Sequence, residues 1–266
     1  LGLDARQEAA ELQKMYEDDP RQSTFNLLLL GESGTGKTYI LRTARRPVHI
    51  DSFDPGGTKC LRDQIKSGDV IPDVRFEHED FSSPHVHQEW EDIFKHRVRE
   101  GYFDSIGTYA IDSATSWAGA ILGKYLKAKG GKADAVPTFQ NHYHYQKFDL
   151  KKYIRMMLAL PCDVIMTGHL KLIEDPVNGK HRYRFLTTGD GMVTIPLLFD
   201  EKYISVTEES SSGVSYKLLT KSTGVYSAST RLGRGGVLET YEEPNIKAIL
   251  KKSKLPFEDK PKLIGG

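Results

Sequence analysis

Residues 25–38, Phe-Asn-Leu-Leu-Leu-Leu-Gly-Glu-Ser-Gly-Thr-Gly-Lys-Thr, constrain the fold more than any other stretch of the chain. They read as a buried strand that runs straight into a phosphate-binding loop. The pattern G-x-x-x-x-G-K-[ST] is met by Gly31, Gly36, Lys37 and Thr38, with Gly34 inside the loop. Glycines let the backbone curl closely enough for its N–H groups to surround phosphate oxygens. The helix that starts near Gly36 adds its positive dipole end. Lys37 is suited to neutralise the β- and γ-phosphates, and the Thr38 hydroxyl to coordinate Mg²⁺. Glu32, Ser33, Thr35 and Tyr39 complete the candidate nucleotide-binding set. An ordinary Gly-rich turn would not need the apolar Leu27–Leu30 before it or the helical Tyr39–Ala44 after it. The segment therefore implies a nucleoside triphosphate, with ATP and Mg²⁺ as the expected cofactors.

At 266 residues, 38% apolar and 27% charged, the chain suits one large α/β domain with a full core. A net charge of +1 excludes a global polyelectrolyte, so a nucleic-acid surface must be a local patch. Cys60 and Cys162 are far apart and lack metal-ligand spacing, as expected of reduced thiols in a cytoplasmic protein. No run resembles a signal peptide or is long enough to span a bilayer, so no membrane partner is expected.

Residues 1–24 are expected to form a charged, helix-prone extension that packs on the core or reaches a neighbouring subunit. Residues 25–250 form the core and 251–266 a tail. After the loop, Pro47-Val48-His49-Ile50-Asp51 reads as a second strand ending in the turn signal Asp54-Pro55-Gly56-Gly57. Val74-Arg75-Phe76 is a further short strand, and His85–Arg99 a helix with Trp90, Ile93, Phe94 and Val98 on one face. Ile106–Asp112 is a strand ending in an acid, followed by a helix through Lys127 and an exposed loop to Thr138. Phe148–Leu160 has helical periodicity, and Asp163–His169 reads as another buried strand. Beyond it, Tyr183–Phe185, Tyr203–Val206, Ser215–Leu219 and Val225-Tyr226 suggest β-hairpins with Asn178-Gly179 and Ser212-Gly213 turns. The fold class is α/β: a mainly parallel sheet flanked by helices, with a hairpin-rich C-terminal part.

Asp112, at the carboxyl end of an apolar strand, is the candidate second Mg²⁺ ligand; the alternative is an acid that caps the next helix. Ser113 follows it, so the water-activating carboxylate must come from elsewhere. Asp54 is one solution and Asp51 a second, with Glu77, Glu79 and Asp80 behind them. Asp54 is equally the first residue of a turn. His169, at the end of its strand, is either structural or placed to sense the γ-phosphate. Lys180, His181, Arg182, Tyr183, Arg184 and Phe185 interleave cations and rings, a composition that suits single-stranded nucleic acid and also a solvated hairpin. Lys124, Lys127, Lys129 and Lys132, with Tyr143, Tyr145 and Lys147, form a second such segment. His142 and His144 have no carboxylate or Cys at metal spacing, so no zinc is expected. Lys221 and Arg231 are either surface charges or cations offered to a neighbouring subunit's γ-phosphoryl group.

The order Gly-Glu-Ser-Gly-Thr-Gly-Lys-Thr, His-Ile-Asp-Ser-Phe-Asp-Pro-Gly-Gly, Tyr-Ala-Ile-Asp-Ser and Met-Thr-Gly-His resembles phage-encoded ATPases with a RecA-like core, associated with recombination and single-strand annealing. The late run Leu-Leu-Thr-Lys-Ser-Thr-Gly-Val-Tyr-Ser-Ala-Ser-Thr-Arg and Glu-Glu-Pro-Asn is similar to the end of that core. The resemblance implies a RecA-type fold and assembly into rings or filaments with nucleotide between subunits. It further implies DNA loops at Lys124–Lys147 and Lys171–Asp190, and a setting in the cytoplasm of a bacterial host. A phage annealing or single-strand-binding protein is an implied partner. One departure is that Ser52-Phe53-Asp54 stands where the family has a glutamate; another is His169 in the place of a glutamine. The expected function is a DNA-stimulated ATPase that binds single-stranded DNA as an oligomer. Its rivals are a helicase or packaging motor and a poorly hydrolysing regulatory or assembly ATPase.

Overall fold

The computed structural model describes residues 4–80, 82–128, 136–174, 179–211, 213–232 and 236–264. Around Leu27–Leu30 it builds a nine-stranded sheet. The strands are β1 (Asn26–Gly31), β2 (Val48–Ser52), β3 (Val70–Asp73), β4 (Thr108–Asp112), β5 (Asp163–Glu174), β6 (His181–Phe185), β7 (Glu201–Ser210), β8 (Gly213–Leu219) and β9 (Tyr241–Glu242). Their spatial order is β3-β2-β4-β5-β1-β7-β8-β9, with β6 paired to the far part of β5. Neighbours from β3 to β7 are parallel, whereas β6, β8 and β9 are antiparallel. The helices are α1 (Ala5–Glu17), α2 (Lys37–Ile40), α3 (Arg62–Lys66), α4 (Val86–Arg99), α5 (Ala114–Ala128), α6 (His144–Met157), α7 (Gly191–Thr194) and α8 (Ile246–Lys252). None among the described residues is long and apolar enough to cross a membrane.

Side-chain alternation along the strands sorts the core into two layers. Leu28, Leu30, Ile111 and Met166 face Trp90, Phe94, Trp117 and Tyr153 from α4, α5 and α6. Leu27, Leu29, Ile50, Ala110 and Ile165 face Ile40, Leu41, Ile246, Ile249 and Leu250 on the other side. Each fully buried leucine of β1 contributes about 2 kcal/mol by removal from water, which is why this strand lies centrally with both faces covered.

The expected architecture, a mainly parallel sheet flanked by helices with hairpins near the C-terminus, is what the chain adopts. Several local expectations differ. Val74-Arg75-Phe76 is not a strand: β3 pairs with β2 through Val70–Asp73, and Arg75–Glu77 form a 3₁₀ turn that sends Phe76 onto Phe53 with ring centroids 5.4 Å apart. Pro72 is tolerated because β3 is an edge strand. Val225-Tyr226 forms only an isolated bridge between Thr223 and Tyr226. The helix after the loop is short, α2 being followed by a 3₁₀ turn, Leu41–Thr43. Asn178, Ser212, Lys129 and Lys132 lie outside the described residues. Residues past α8 run as an irregular strap along the base of the sheet. There Lys260 N–H donates to the Arg46 carbonyl at 2.8 Å, Asp259 accepts the Arg46 N–H at 2.7 Å, and Lys262 pairs with Asp69 at 3.0 Å.

Candidate active site

The phosphate loop leaves β1 at Gly31, where a Cβ would lie 2.5 Å from Thr35 Oγ1 and 2.8 Å from the Ser205 carbonyl; only glycine lets the two strands and the loop close up here. Gly34 and Gly36 take φ of +81° and +85°, the left-handed region that the curl requires. Ser205, beside Gly31 on β7, donates its hydroxyl to the Thr35 carbonyl at 2.6 Å and so braces the loop from the neighbouring strand. The Lys37 ammonium reaches back across the loop to the carbonyls of Gly31 (3.1 Å) and Glu32 (2.7 Å). Burial lowers its pKa, against the nearby carboxylates of Asp112, Asp54 and Glu32, which raise it.

Asp112 ends β4 on the far side of β5 and is fully enclosed. Its Oδ2 accepts the Thr38 hydroxyl at 2.8 Å, and its Oδ1 accepts the hydroxyl of Thr167 from β5. Burial pushes this carboxyl up, partly offset by the two hydroxyl donors, and the charge of Asp54 pushes it further. A divalent cation is the natural complement of such a carboxylate, and hydroxyl plus carboxylate oxygen is the hard donor set that Mg²⁺ takes. Thr38 and Asp112 thus offer a donor set whose chemistry suits Mg²⁺.

Asp54 and His169 complete the cluster. Asp54 opens a turn closed by the Gly57 N–H on its carbonyl (2.9 Å), as the Asp54-Pro55-Gly56 turn signal predicted. The same turn brings Asp54 beside Asp112: a Cβ on Gly57 would stand 3.5 Å from Asp54 Cβ and 3.7 Å from Asp112 Oδ2. Ser116 donates its hydroxyl to Asp54, and the Asp54 charge acts on Lys37, Asp112 and His169 alike. His169 lies opposite Gly31 in the β1–β5 register, its N–H donating to Thr115 Oγ1 at 3.1 Å. Burial and then Lys37 lower its pKa against the two aspartates, which favours the neutral ring.

The other candidate carboxylates are committed elsewhere. Asp51 points to the opposite layer, where it accepts from Trp90 Nε1 (2.8 Å), the Tyr109 hydroxyl, Arg97 (2.9 Å) and His49 (2.9 Å). His49, Asp51 and Asp73 converge closely enough to resemble a metal cluster, but the Arg97 guanidinium bonds both aspartates and supplies the balancing charge. Glu77 accepts from Ser52 Oγ (2.8 Å) and the Gly56 N–H (2.9 Å), which makes it the brace of the Asp54 turn. Glu79 takes the His85 N–H (2.9 Å) at the start of α4, and Asp80 the Ser82 N–H (2.9 Å).

Neither predicted trans cation approaches the loop of its own chain. Arg231 pairs with Asp200 at 2.7 Å, at the end of the sheet opposite the phosphate loop. Lys221 follows β8, which runs away from the loop, and is exposed. Thr115, Ser116, Thr167 and Ser205 escaped the sequence reading, while Glu77, a reserve candidate for the water-activating carboxylate, braces the Asp54 turn instead. Thr167 alone carried a signal, being two residues before His169 on one strand and hence on the same face.

Two ribbons rise past the loop. β5 continues from His169 to Glu174 and pairs with β6, setting Lys171 opposite Arg184 and Ile173 opposite Arg182 on one face, with Leu172 opposite Tyr183 on the other. Tyr183 stacks on Tyr226 (centroids 4.8 Å, planes 8° apart) and directs its hydroxyl to Glu32 of the phosphate loop at 3.4 Å. The β7–β8 ribbon places Tyr216 against Gly36, 3.3 Å from where a Cβ would be. In the second basic segment Lys124 pairs with Glu91 (2.7 Å), and Lys147 pairs with Asp190.

Among solved structures, the chain is similar to a KaiC-like protein, PH0186, from the hyperthermophilic archaeon Pyrococcus horikoshii OT3, at 14% identity over 73% of this chain and 76% of that one, with a TM-score of 0.36. It is also similar to the flagellar accessory protein FlaH from Methanocaldococcus jannaschii, at 11% identity over 77% of this chain and 82% of that one, with a TM-score of 0.41. No curated protein matches it. The family described as AAA domain matches residues 24–231, and that span, together with the loop and the acid of β4, makes the chain a P-loop ATPase belonging to this AAA-domain family.

Proposed function

We propose that the chain is a Mg²⁺-dependent ATPase that binds single-stranded DNA on the β5–β6 ribbon and works as a homo-oligomer in phage recombination or replication. The observation that carries this reading is the continuity of β5. One strand passes the nucleotide site at Thr167 and His169 and runs unbroken into a ribbon, one face of which bears the exposed Lys171 and Arg182 and the half-buried Arg184. A shift at His169 is transmitted along a hydrogen-bonded strand to the face where cations track phosphates. Lys37 and the loop amides hold the triphosphate, and Thr38 and Asp112 hold Mg²⁺, which supplies charge neutralisation when bound. Asp54 accepts the proton of the attacking water, held towards the site by Ser116 and the Glu77-braced turn. Lys221 and Arg231 stay candidates for a contribution to a neighbour's site, and an annealing or single-strand-binding protein for a partner.

The test is hydrolysis of Mg²⁺-ATP with and without single-stranded DNA, with Lys37→Ala as the blank. Stimulation by DNA that vanishes in the variant supports the proposal. Turnover indifferent to DNA removes the DNA part. A second reading, a poorly hydrolysing assembly ATPase, is favoured by the short Asp54 in the place of a glutamate, and ATP binding with negligible turnover would select it.

A further inference from the structure

The base of the sheet, at the opposite end from the phosphate loop, contains a cleft of about 590 Å³ that the ATPase reading does not use. Its floor is apolar, from the half-buried Leu158, Leu198, Leu232 and Leu255. Its rim is charged and mixed: Arg21, Arg155 and Arg231 border it together with Asp19, Asp200 and Glu201. Arg21 and Arg231 have aspartate partners, whereas Arg155 is exposed and makes no ion pair among the described residues. In the wall, Asn26 is 4% exposed; its Nδ2 donates to Asp200 at 3.2 Å, and its buried Oδ1 accepts nothing.

The same chain carries a segment of the complementary character. No residue of α1 is buried. Ala5, Ala9, Leu12, Met15 and Tyr16 recur at three- and four-residue spacing, one apolar stripe along a helix about 20 Å long. Leu12, Met15 and Tyr16 are 55%, 69% and 63% exposed. Beside that stripe run Asp4, Glu8 and Glu11, and residues 4–19 hold six carboxylates against Arg6 and Lys14. The helix leaves its own copy from the rim of the cleft, where Asp19 grips Arg21 through three side-chain hydrogen bonds and fixes the exit.

We propose that α1 of one copy docks in the basal cleft of a second copy of this chain. Leu12, Met15 and Tyr16 cover the leucine floor, and the acidic edge faces Arg155, the rim arginine without an ion pair among the described residues. This rests on the oligomeric reading above and assigns its interface. Opposite charge at the rim steers encounter, while the apolar stripe supplies the affinity.

Two single variants test it, both at exposed residues remote from the nucleotide site: Tyr16→Asp on the helix and Arg155→Glu at the cleft. Sedimentation velocity of the full chain with Mg²⁺-ATP is expected to show wild type associating and each variant at least tenfold weaker. An equimolar mixture of the two variants is expected to form a one-to-one heterodimer, because each partner retains one intact surface. A wild type that is monomeric at all concentrations overturns the proposal. So do variants that associate as wild type does, or a mixture that stays monomeric. ATP binding is measured on the same samples: binding retained without association fails the interface alone, whereas loss of binding in wild type fails the ATPase reading.

Discussion

Substitutions at single residues separate binding from chemistry in this site. Lys37→Ala removes the cation centred in the loop and is expected to abolish ATP binding by calorimetry. Asp54→Asn keeps the shape and the Ser116 contact but not the base, so ATP affinity is expected to stay within a few-fold while single-turnover hydrolysis falls at least ~10²-fold. Unchanged hydrolysis would remove Asp54 from its role. A structural carboxylate behaves differently. Burial alone would raise Asp73, but hydrogen bonds from Arg75 and Arg97 reverse this and hold it at about 2. Its folded pKa lies below the unfolded value, so its stabilising contribution is complete above about pH 4 and is lost as pH falls towards 2. Asp73→Asn is therefore expected to lower stability at pH 7 and to flatten the decline between pH 4 and 2 in urea titrations. A decline as steep as that of wild type would show the pair to be energetically idle.

Elements add what single residues cannot. The C-terminal strap presses Ile264 against Gly68, where a Cβ would sit 2.4 Å from the Ile264 carbonyl and φ is +74°. Gly68→Ala is expected to cost about 1–3 kcal/mol in urea unfolding, because both backbone strain and the displaced strap oppose it. A cost below experimental error would mean that the strap contributes nothing. The β5–β6 ribbon is the other element with a measurable role. Replacing Lys171, Arg182 and Arg184 together by alanine is expected to weaken single-stranded DNA binding and reduce the salt slope by about 0.7 for each phosphate that is no longer neutralised. ATP turnover without DNA should be retained; an unaltered slope would count against DNA contact on this ribbon. The pairing that puts these cations on one face follows from antiparallel register, not from their order in sequence.

For the molecule as a whole, ligand binding must appear as stability. With ATP and Mg²⁺ at about 100 times the dissociation constant, unfolding free energy is expected to rise by about 2.7 kcal/mol, visible as a higher melting temperature in wild type and absent in Lys37→Ala. An identical rise in both would place the nucleotide away from the loop. The phosphate loop, the buried β1, the acid that ends β4 and the α/β class were legible in the sequence, because each depends on consecutive residues or on the two-residue period of a strand. The sequence reading put Asp54 ahead of Asp51, but the physical difference between them was not legible. Three positions separate them, yet Asp51 lies within β2 and faces the α4 layer, while Asp54 lies past the strand end, in a turn beside Asp112. Ser116 on Asp54, Thr167 on Asp112 and Ser205 on Thr35 join residues 62, 55 and 170 positions apart. Arg231 borders the basal cleft, a place its position in the sequence did not indicate. Sequence by itself determined which chemical groups are present and which local conformations they favour. Tertiary structure decided which of them meet, because strand order and register set distances that chain separation leaves free.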